Sequence, residues 1–251
     1  MGKLQDKVAL VTGSSSGIGR GVALAIASEG AKVIINHPDD SEARNAETVR
    51  AEIERLGAQT VAMRADVSLE HEAQALVETV QRNFGRIDIL VNNAGIGNVA
   101  RVEAMAPEQW DRMLAVNLRS VFLCTHFVLP IMYRQDYGRI ISTASQLAYK
   151  GSAGLAHYCA AKAGIIAFTR SLSHEIGTSN ITANCVAPGA TQTRMVEGID
   201  KDLMDSLLAS IPRRRLGTID EIVPAYVFLA SDEARHFVGQ CLSPNGGDVM
   251  L

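Results

Sequence analysis

Tyr158 and Lys162 lie four residues apart in the stretch HYCAAKAG, with only small residues between them. Residues at this spacing share one face of a helix, about one turn apart. A free tyrosine has a pKa of about 10, which is too high for an efficient base at neutral pH. A neighbouring ammonium favours the phenolate and lowers that pKa. The spacing therefore predicts an acid–base pair that moves a proton to or from an alcohol, although a surface tyrosine beside a solvated lysine would give the same pattern.

Two further polar residues stand where they could assist this chemistry. Ser145 follows the apolar run GRIISTAS, and its hydroxyl can donate to a carbonyl oxygen or accept from an alcohol. It can thus stabilise the charge that develops on a substrate oxygen. Asn117, in VNLRS, falls inside a predicted helix, where asparagine is unfavourable by propensity. Its presence indicates either a functional role or a structural hydrogen bond to a neighbouring strand.

A glycine-rich stretch, TGSSSGIG, covers residues 12–19 and separates the first predicted strand from the first predicted helix. Gly13, Gly17 and Gly19 allow positive φ angles and a close approach of the backbone to a bound group. The amino terminus of the helix offers free N–H groups and a positive dipole to a pyrophosphate. In this position the pattern predicts a dinucleotide site.

Short β-branched runs alternate with helical patterns along the whole chain. This alternation predicts an α/β fold of the Rossmann type, doubly wound, with a seven-stranded parallel sheet, helices on both faces and a single domain over residues 1–251. Ligands of such sheets bind beyond the carboxyl ends of the strands, and the motifs above fall just after strands. The predicted strands are KVALVTG, AKVIIN, QTVAMRADV, IDILVNNAG, GRIISTAS, ITANCVAPG and QCLSPNGG, and the predicted helices include one long helix over residues 107–134 and two within 200–230.

The composition excludes several other classes of protein. The 251 residues carry a net charge of −3, which gives no basic field for nucleic acid or for anionic lipid. The sequence lacks both an uninterrupted apolar run of membrane-spanning length and an apolar signal-peptide core, so we expect a cytoplasmic protein without membrane attachment. The four cysteines show no CxxC and no histidine at zinc spacing, so we expect reduced thiols and no metal site.

The order of TGSSSGIG, ADV, NNAG, VNLRS, STAS, YCAAK and APG resembles the short-chain dehydrogenase/reductase family along essentially the whole chain. The resemblance implies hydride transfer between a nicotinamide cofactor and a secondary alcohol or ketone. It also implies a small-molecule substrate held by Ser145, a water-holding proton relay through Asn117 to Lys162, a mobile lid around residues 190–215, and a homotetramer. For Asp66 a helix cap is the alternative. The implied cofactor-binding residues are Gly13, Ser14, Ser16, Gly17, Ile18, Gly19, Asn36, His37, Asp66, Val67, Asn93, Ala94, Gly95, Tyr158, Lys162, Pro188, Gly189, Thr191 and Thr193.

The choice between NAD and NADP depends on the end of the second strand, where an acid binds the ribose hydroxyls and a basic residue binds a 2′-phosphate. The chain reads INHPDD there, with neutral Asn36 and His37 followed by two acids. Ser16 stands where many NADP-dependent relatives carry arginine. This favours NAD, while hydrogen bonds from Ser14, Asn36 and His37 to a phosphate leave NADP open.

The substrate is suggested by the residues after Ser145. Gln146 and Tyr149 bring polar groups towards the predicted pocket, which favours a sugar, a polyol or another small hydroxylated compound. The alternatives are a 3-oxoacyl-(carrier protein) reductase and a non-catalytic dinucleotide-binding regulator. Residues 133–139 and 175–180 carry Asp136 and Ser179 where basic residues for a carrier protein are expected, which argues against the former. Arg213–Arg215 form either a solvated turn or a contact to an anionic substrate.

Overall fold

All seven strands of the computed structural model, which describes residues 2–197 and 200–250, lie parallel in one sheet. Their order is β3-β2-β1-β4-β5-β6-β7. The predicted doubly wound α/β fold is confirmed. The strands are β1 Val8–Val11, β2 Lys32–His37, β3 Thr60–Arg64, β4 Ile89–Asn92, β5 Gly138–Thr143, β6 Ile181–Val186 and β7 Cys241–Leu242. The helices are α1 Gly17–Ser28, α2 Ala43–Arg55, α3 Glu70–Phe84, α4 Pro107–Leu114, α5 Ser120–Gln135, α6 Leu147–Lys150, α7 Ala156–Ile176, α8 Lys201–Ser210 and α9 Ile219–Ala230.

The strands are apolar throughout because helices cover both faces of the sheet. Side chains alternate between the faces, so Ala9 and Val11 of β1 pack in the core beneath α1, α2 and α9. Val8 and Leu10 point the other way, into the core beneath α3 and α5. Since each strand contributes side chains to the hydrophobic cores on both faces of the sheet, the apolar runs of the sequence are continuous.

The strand order reverses at β1, which pairs with β2 on one side and with β4 on the other. At such a point the two connecting loops diverge and leave a crevice beyond the carboxyl ends of the strands. The glycine-rich loop follows β1 and NNAG follows β4, so both motifs border this crevice.

The predicted long helix over residues 107–134 is interrupted. A single π-helical turn, Ala115–Arg119, separates α4 from α5 and contains Asn117. By length and composition the combined stretch Pro107–Gln135 could cross a membrane, but half of its most apolar window is buried inside the protein. It packs on the sheet through residues such as Leu123 and Val128, as a core helix does.

The closing strand is shorter than QCLSPNGG predicts. Only Cys241 and Leu242 pair with β6. Pro244 has no N–H for a ladder, and Gly246 and Gly247 take positive φ angles of 68° and 91°. The chain therefore turns away and continues beside the loops at the carboxyl edge of the sheet.

A fully buried carboxylate, Asp88, immediately precedes β4. Its Oδ2 accepts a hydrogen bond from the backbone N–H of Val8 at 2.9 Å, and Arg86 donates to both oxygens at 2.6 and 2.8 Å. Asp88 thus joins the amino ends of β1 and β4 while its charge is compensated.

We predict that Asp88→Ala lowers the free energy of unfolding by about 3 kcal/mol, because it leaves a buried N–H without an acceptor. Urea denaturation measures this loss. The matched control is Glu103→Ala, which removes an exposed ion pair with Arg101 and should change stability by less than about 0.5 kcal/mol. Equal effects of the two substitutions would contradict the assignment.

Candidate functional site

The glycine-rich loop is shaped by two close backbone approaches. Gly13 has a φ of 59°, and a Cβ atom there would lie 2.7 Å from the Cα of Ala94. A Cβ atom on Gly19 would lie 2.3 Å from the carbonyl oxygen of Gly13. Neither position tolerates a side chain, so the sequence pattern follows from the packing of the loop against the NNAG segment.

The amino terminus of α1 is open to a ligand. Ser16 is the N-cap residue in extended conformation, and its side chain makes no capping hydrogen bond. Gly17 has a φ of 57°, and the nearest atom to a Cβ placed on it is the Cγ2 of Thr193 at 3.7 Å. The first N–H groups of the helix, including that of Ile18, therefore form a cradle that fits a pyrophosphate.

Ser14 and Asn36 are occupied within the protein. The Ser14 hydroxyl donates to the carbonyl of Val11 at 2.7 Å. Asn36 accepts from the Gly13 N–H at 3.2 Å and donates to the Ala65 carbonyl at 3.0 Å. Both side chains are almost fully buried. The expectation that they bond a 2′-phosphate is therefore corrected: they hold the loop against β2 and β3.

His37 is also buried, and its Nδ1 lies 2.9 Å from the carbonyl oxygen of Asp39. The last side chains of β2 thus face the protein interior. A residue that discriminates between NAD and NADP must be sought beyond the strand.

Asp66 closes a turn ahead of α3. Its carboxylate accepts from the N–H and the hydroxyl of Ser68 at 3.0 and 2.6 Å and pairs with Arg112 at 3.1 Å. Partial burial acts to raise the pKa of Asp66, but these donors outweigh it and the pKa is lowered. The alternative of a helix cap is incorrect, since Leu69 is the N-cap residue of α3. Val67 is buried directly behind this turn.

The remaining expected cofactor residues lie along the crevice between β4 and β6. Asn93 donates to the carbonyls of Thr12 and Gly13 at 3.1 and 3.0 Å, which fixes Ala94 and Gly95 beside the glycine-rich loop. After β6, Pro188 and Gly189 turn the chain, and Thr191 donates to the Gly189 carbonyl at 2.9 Å. Thr193 approaches Gly17, so this segment reaches the mouth of the cradle.

Ser145, Tyr158 and Lys162 come together beyond β5. Ser145 lies close enough to the Tyr158 hydroxyl to counter, in part, the burial that raises the pKa of the phenol. Lys162 is buried, donates to the Thr143 carbonyl at 2.8 Å, and has its Nζ 5.6 Å from the centroid of the Tyr158 ring. Desolvation lowers the pKa of Lys162 to about 8.

The expected depression of the tyrosine pKa does not occur in the protein's own electrostatics. Burial raises the pKa of Tyr158, and Ser145 offsets only part of that rise. The ammonium of Lys162 is directed to the Thr143 carbonyl instead of the phenol oxygen. At neutral pH the phenol is therefore protonated and suited to donating a proton.

The side-chain amide of Asn117 has a hydrogen-bonded nitrogen and an oxygen without a partner among the described residues. Its Nδ2 donates to the carbonyls of Ile96 and Met113 at 3.0 and 3.1 Å. Its Oδ1 is buried and has no hydrogen-bond partner among the described residues. A Cβ on Gly95 would lie 2.7 Å from this oxygen and 3.6 Å from the Lys162 Nζ. The π turn thus directs a free acceptor towards the lysine, an arrangement that suits a proton relay through water.

Gln146 and Tyr149, from which a sugar or polyol substrate was inferred, are both occupied or buried. Gln146 is buried and donates to the carboxylate of Asp248 at 2.6 Å. The Tyr149 hydroxyl is buried beside Cys241. Sequence reasoning missed this contact because Asp248 lies 102 residues after Gln146.

The rim of the crevice is apolar instead. Ile96, Val99 and Val102 are 37, 76 and 71% exposed and lie in the segment that Asn117 binds. Met195 is 55% exposed, and its sulfur would lie 3.5 Å from a Cβ placed on Gly97. The stretch GIGNVARV contains this apolar signal, which the motif-based reasoning passed over.

Two other expectations concern charged residues. Arg215 pairs with Glu221 at 2.6 Å and Arg214 donates to the Ala209 carbonyl, as in a solvated turn.

Residues 133–139 and 175–180 meet at the amino edge of the sheet, where Asn180 accepts from Gly138 and Arg139. They lie opposite the edge that carries Ser145. The argument that they border the active site is therefore wrong for this chain, and with it the objection to a carrier-protein substrate.

Comparison with known proteins agrees with this geometry. A family model described as Enoyl-(Acyl carrier protein) reductase matches residues 13–248. The 3-oxoacyl-[acyl-carrier-protein] reductase FabG of Staphylococcus epidermidis is 39% identical over 98% of this chain and 100% of its own length. The 3-oxoacyl-[acyl-carrier-protein] reductase of a Synechocystis species is 41% identical over the full length of both chains. A crystal structure assigned as a short-chain alcohol dehydrogenase of Sinorhizobium meliloti superposes with a TM-score of 0.93 at 34% identity, covering 97% of this chain and 96% of the other.

A parallel sheet with a nucleotide cradle beside a serine, tyrosine and lysine defines a nicotinamide-dependent oxidoreductase. The chain belongs to the short-chain dehydrogenase/reductase family. It acts on hydroxyl or keto groups with NAD or NADP.

The buried lysine leads to a stability prediction. Its pKa is about 8 in the folded chain, against an ordinary value of 10.5. Below pH 8 the folded state therefore carries the full penalty of a buried charge, and the penalty disappears as pH rises from 8 to 10.5. We expect Lys162→Met to raise the free energy of unfolding at pH 7 by about 2 kcal/mol, after allowance for the lost hydrogen bond.

Urea denaturation at pH 7 and at pH 9.5 checks this expectation: the gain should shrink at the higher pH. The control Lys201→Met, at an exposed position, should show no such pH-dependent difference. A variant at Lys162 that is less stable than the wild type at pH 7 would refute the assigned cost.

Proposed function

We propose that this protein reduces the 3-oxo group of an acyl thioester to a 3-hydroxyl group. The observation that carries the proposal is the rim of Ile96, Val99, Val102 and Met195, which presents apolar surface to a substrate entering the crevice. An acyl chain gains by burying such surface, whereas a sugar or polyol needs polar partners. The names of the relatives supply independent support.

In the proposed mechanism the bound nicotinamide supplies the hydride. Ser145 holds the carbonyl oxygen, and Tyr158 donates a proton to it as negative charge develops. Lys162 and Asn117 then return a proton to the phenol from solvent, with the free Oδ1 of Asn117 holding the intervening water. The cradle from Gly13 to Gly19 would hold the pyrophosphate.

The raised pKa of Tyr158 fits the proton-donating role that the proposed reduction assigns to this residue. A phenol that is protonated at neutral pH is ready to act as an acid, which carbonyl reduction needs. Alcohol oxidation needs the phenolate, which burial disfavours.

A sugar or polyol dehydrogenase is the second candidate, but its polar groups Gln146 and Tyr149 are engaged or buried. A non-catalytic regulator would need no set of Asn117, Ser145, Tyr158 and Lys162.

We further propose one domain over residues 1–251 with residues 190–215 as the substrate lid, of which Gly198 and Ile199 lie outside the described residues. The free thiols of Cys124 and Cys185 fit a cytoplasmic location.

The proposed activity is tested by steady-state assays at 340 nm with acetoacetyl-coenzyme A and with the same acyl group on a carrier protein, each with NADH and NADPH. We expect reduction of at least one thioester, and a kcat/KM for polyol oxidation at least about a hundredfold lower. Tyr158→Phe should bind the nucleotide but turn over at least about a hundredfold more slowly, while the exposed control Tyr133→Phe stays active. Preference for a polyol would overturn the assignment.

We also propose that the protein is a homotetramer, as the family resemblance implies. A groove of about 460 Å³ between α4, α5 and α7 is lined by Leu114, Leu118, Phe122 and Phe168, and Phe122 is 49% exposed. An exposed apolar groove on helices of this kind is typical of a subunit interface. Light scattering should give a tetramer for the wild type and smaller species for Phe122→Glu. Leu56→Glu, at an exposed apolar residue after α2 and away from the long helices and the closing strand, should remain tetrameric.

A further inference from the structure

The acids that follow β2 are not equivalent. Asp39 accepts hydrogen bonds from the N–H and hydroxyl of Ser41, and Asp40 pairs with Arg64 at 3.2 Å. Both contacts keep these carboxylates on the outer side of the turn. The next acid, Glu42, is instead directed towards the glycine-rich loop.

The Glu42 carboxylate accepts from three side chains. The hydroxyl of Ser15, in the glycine-rich loop, donates to it at 2.8 Å. Asn45 donates at 2.9 Å, and Arg194, from the proposed lid, at 3.1 Å. The Glu42 side chain is only 24% exposed, and Ser15 is buried. These donors also lower the pKa of Glu42, so it stays ionised.

This cluster lies between the glycine-rich loop and the segment that follows β2. In a doubly wound fold the subsite for a dinucleotide's adenosine ribose lies between the glycine-rich loop and the carboxyl end of the second strand, and an acid there favours a ribose with free hydroxyls. The side chains of Asn36 and His37 are buried and bonded within the protein. Glu42 is the acid that borders the loop through Ser15.

We propose that Glu42 determines the cofactor specificity of this protein, selecting a free ribose 2′-hydroxyl against a 2′-phosphate, and that it does so partly by engaging Arg194. Its charge repels a 2′-phosphate, and its hydrogen bond occupies the Ser15 hydroxyl that a phosphate could use. It also neutralises Arg194, the cation of the cluster. Removal of the Glu42 charge would thus remove the repulsion and release the guanidinium of Arg194 for a phosphate.

The test compares binding of two nucleotide fragments, 5′-AMP and adenosine 2′,5′-bisphosphate, by isothermal titration calorimetry. The wild type should bind 5′-AMP more tightly. Glu42→Gln preserves the size of the side chain and an acceptor for Ser15, and it should shift the ratio of the two dissociation constants towards the bisphosphate by at least about tenfold. The kcat/KM ratio of NADPH to NADH should move in the same direction.

Two further variants make the assignment specific. Asp40→Asn removes a neighbouring acid that pairs with Arg64, and it should leave the ratio unchanged. Arg194→Ala added to Glu42→Gln should cancel most of the gain for the bisphosphate. A wild type that prefers the bisphosphate, or a Glu42→Gln variant with an unchanged ratio, would overturn the proposal.

The inference rests on the nicotinamide dependence of the family and deepens the proposed function. The fragment titrations involve no turnover, so they report on Glu42 even where no thioester is reduced. A shifted ratio without thioester reduction would refute only the proposed substrate.

Discussion

The site depends on the contact between the loop after β1 and the loop after β4. Gly13 and Ala94 approach so closely that no side chain fits at residue 13. Thr12 accepts from the N–H groups of Asn93 and Ala94 at 3.0 and 3.1 Å, and Asn93 returns hydrogen bonds to the loop carbonyls. This contact closes the base of the crevice and points the amino terminus of α1 into it. The groups proposed to contact the cofactor lie on these two loops or on segments that border the crevice between them.

Above this base, the proposed chemistry relies on groups that are unfavourable for folding. Lys162 is buried with a single backbone acceptor, and Asn117 keeps a buried oxygen free. Both arrangements oppose stability, since buried polar groups need partners. They meet beside Gly95, where the absence of a side chain leaves space. A stable protein would fill this space, whereas an enzyme that must return protons to a tyrosine requires it to stay open.

The sequence predicts the parts of this structure that follow from local pattern. Continuous apolar strands and the glycine spacing are enough to predict the sheet and the loop, and the i, i+4 spacing places Tyr158 and Lys162 on one face. The π turn at Asn117 is not predictable in this way, because the same residues fit an unbroken helix. The contacts Gln146–Asp248 and Glu42–Arg194 join residues 102 and 152 positions apart, beyond the range of any local pattern.

We propose that these distant contacts decide specificity, because an internal hydrogen bond takes up a polar group that a ligand could otherwise use. Gln146, Ser14 and Asn36 look available in the sequence, yet each is bonded internally. Two features remain: the apolar rim near Val99, which is exposed, and the negative charge of Glu42, whose carboxylate is held by Ser15, Asn45 and Arg194. The first suits an acyl chain, and the second disfavours a phosphate on the ribose. Specificity in the proposed site thus follows from which polar groups the packed loops engage and from the charge that the packing holds beside the glycine-rich loop.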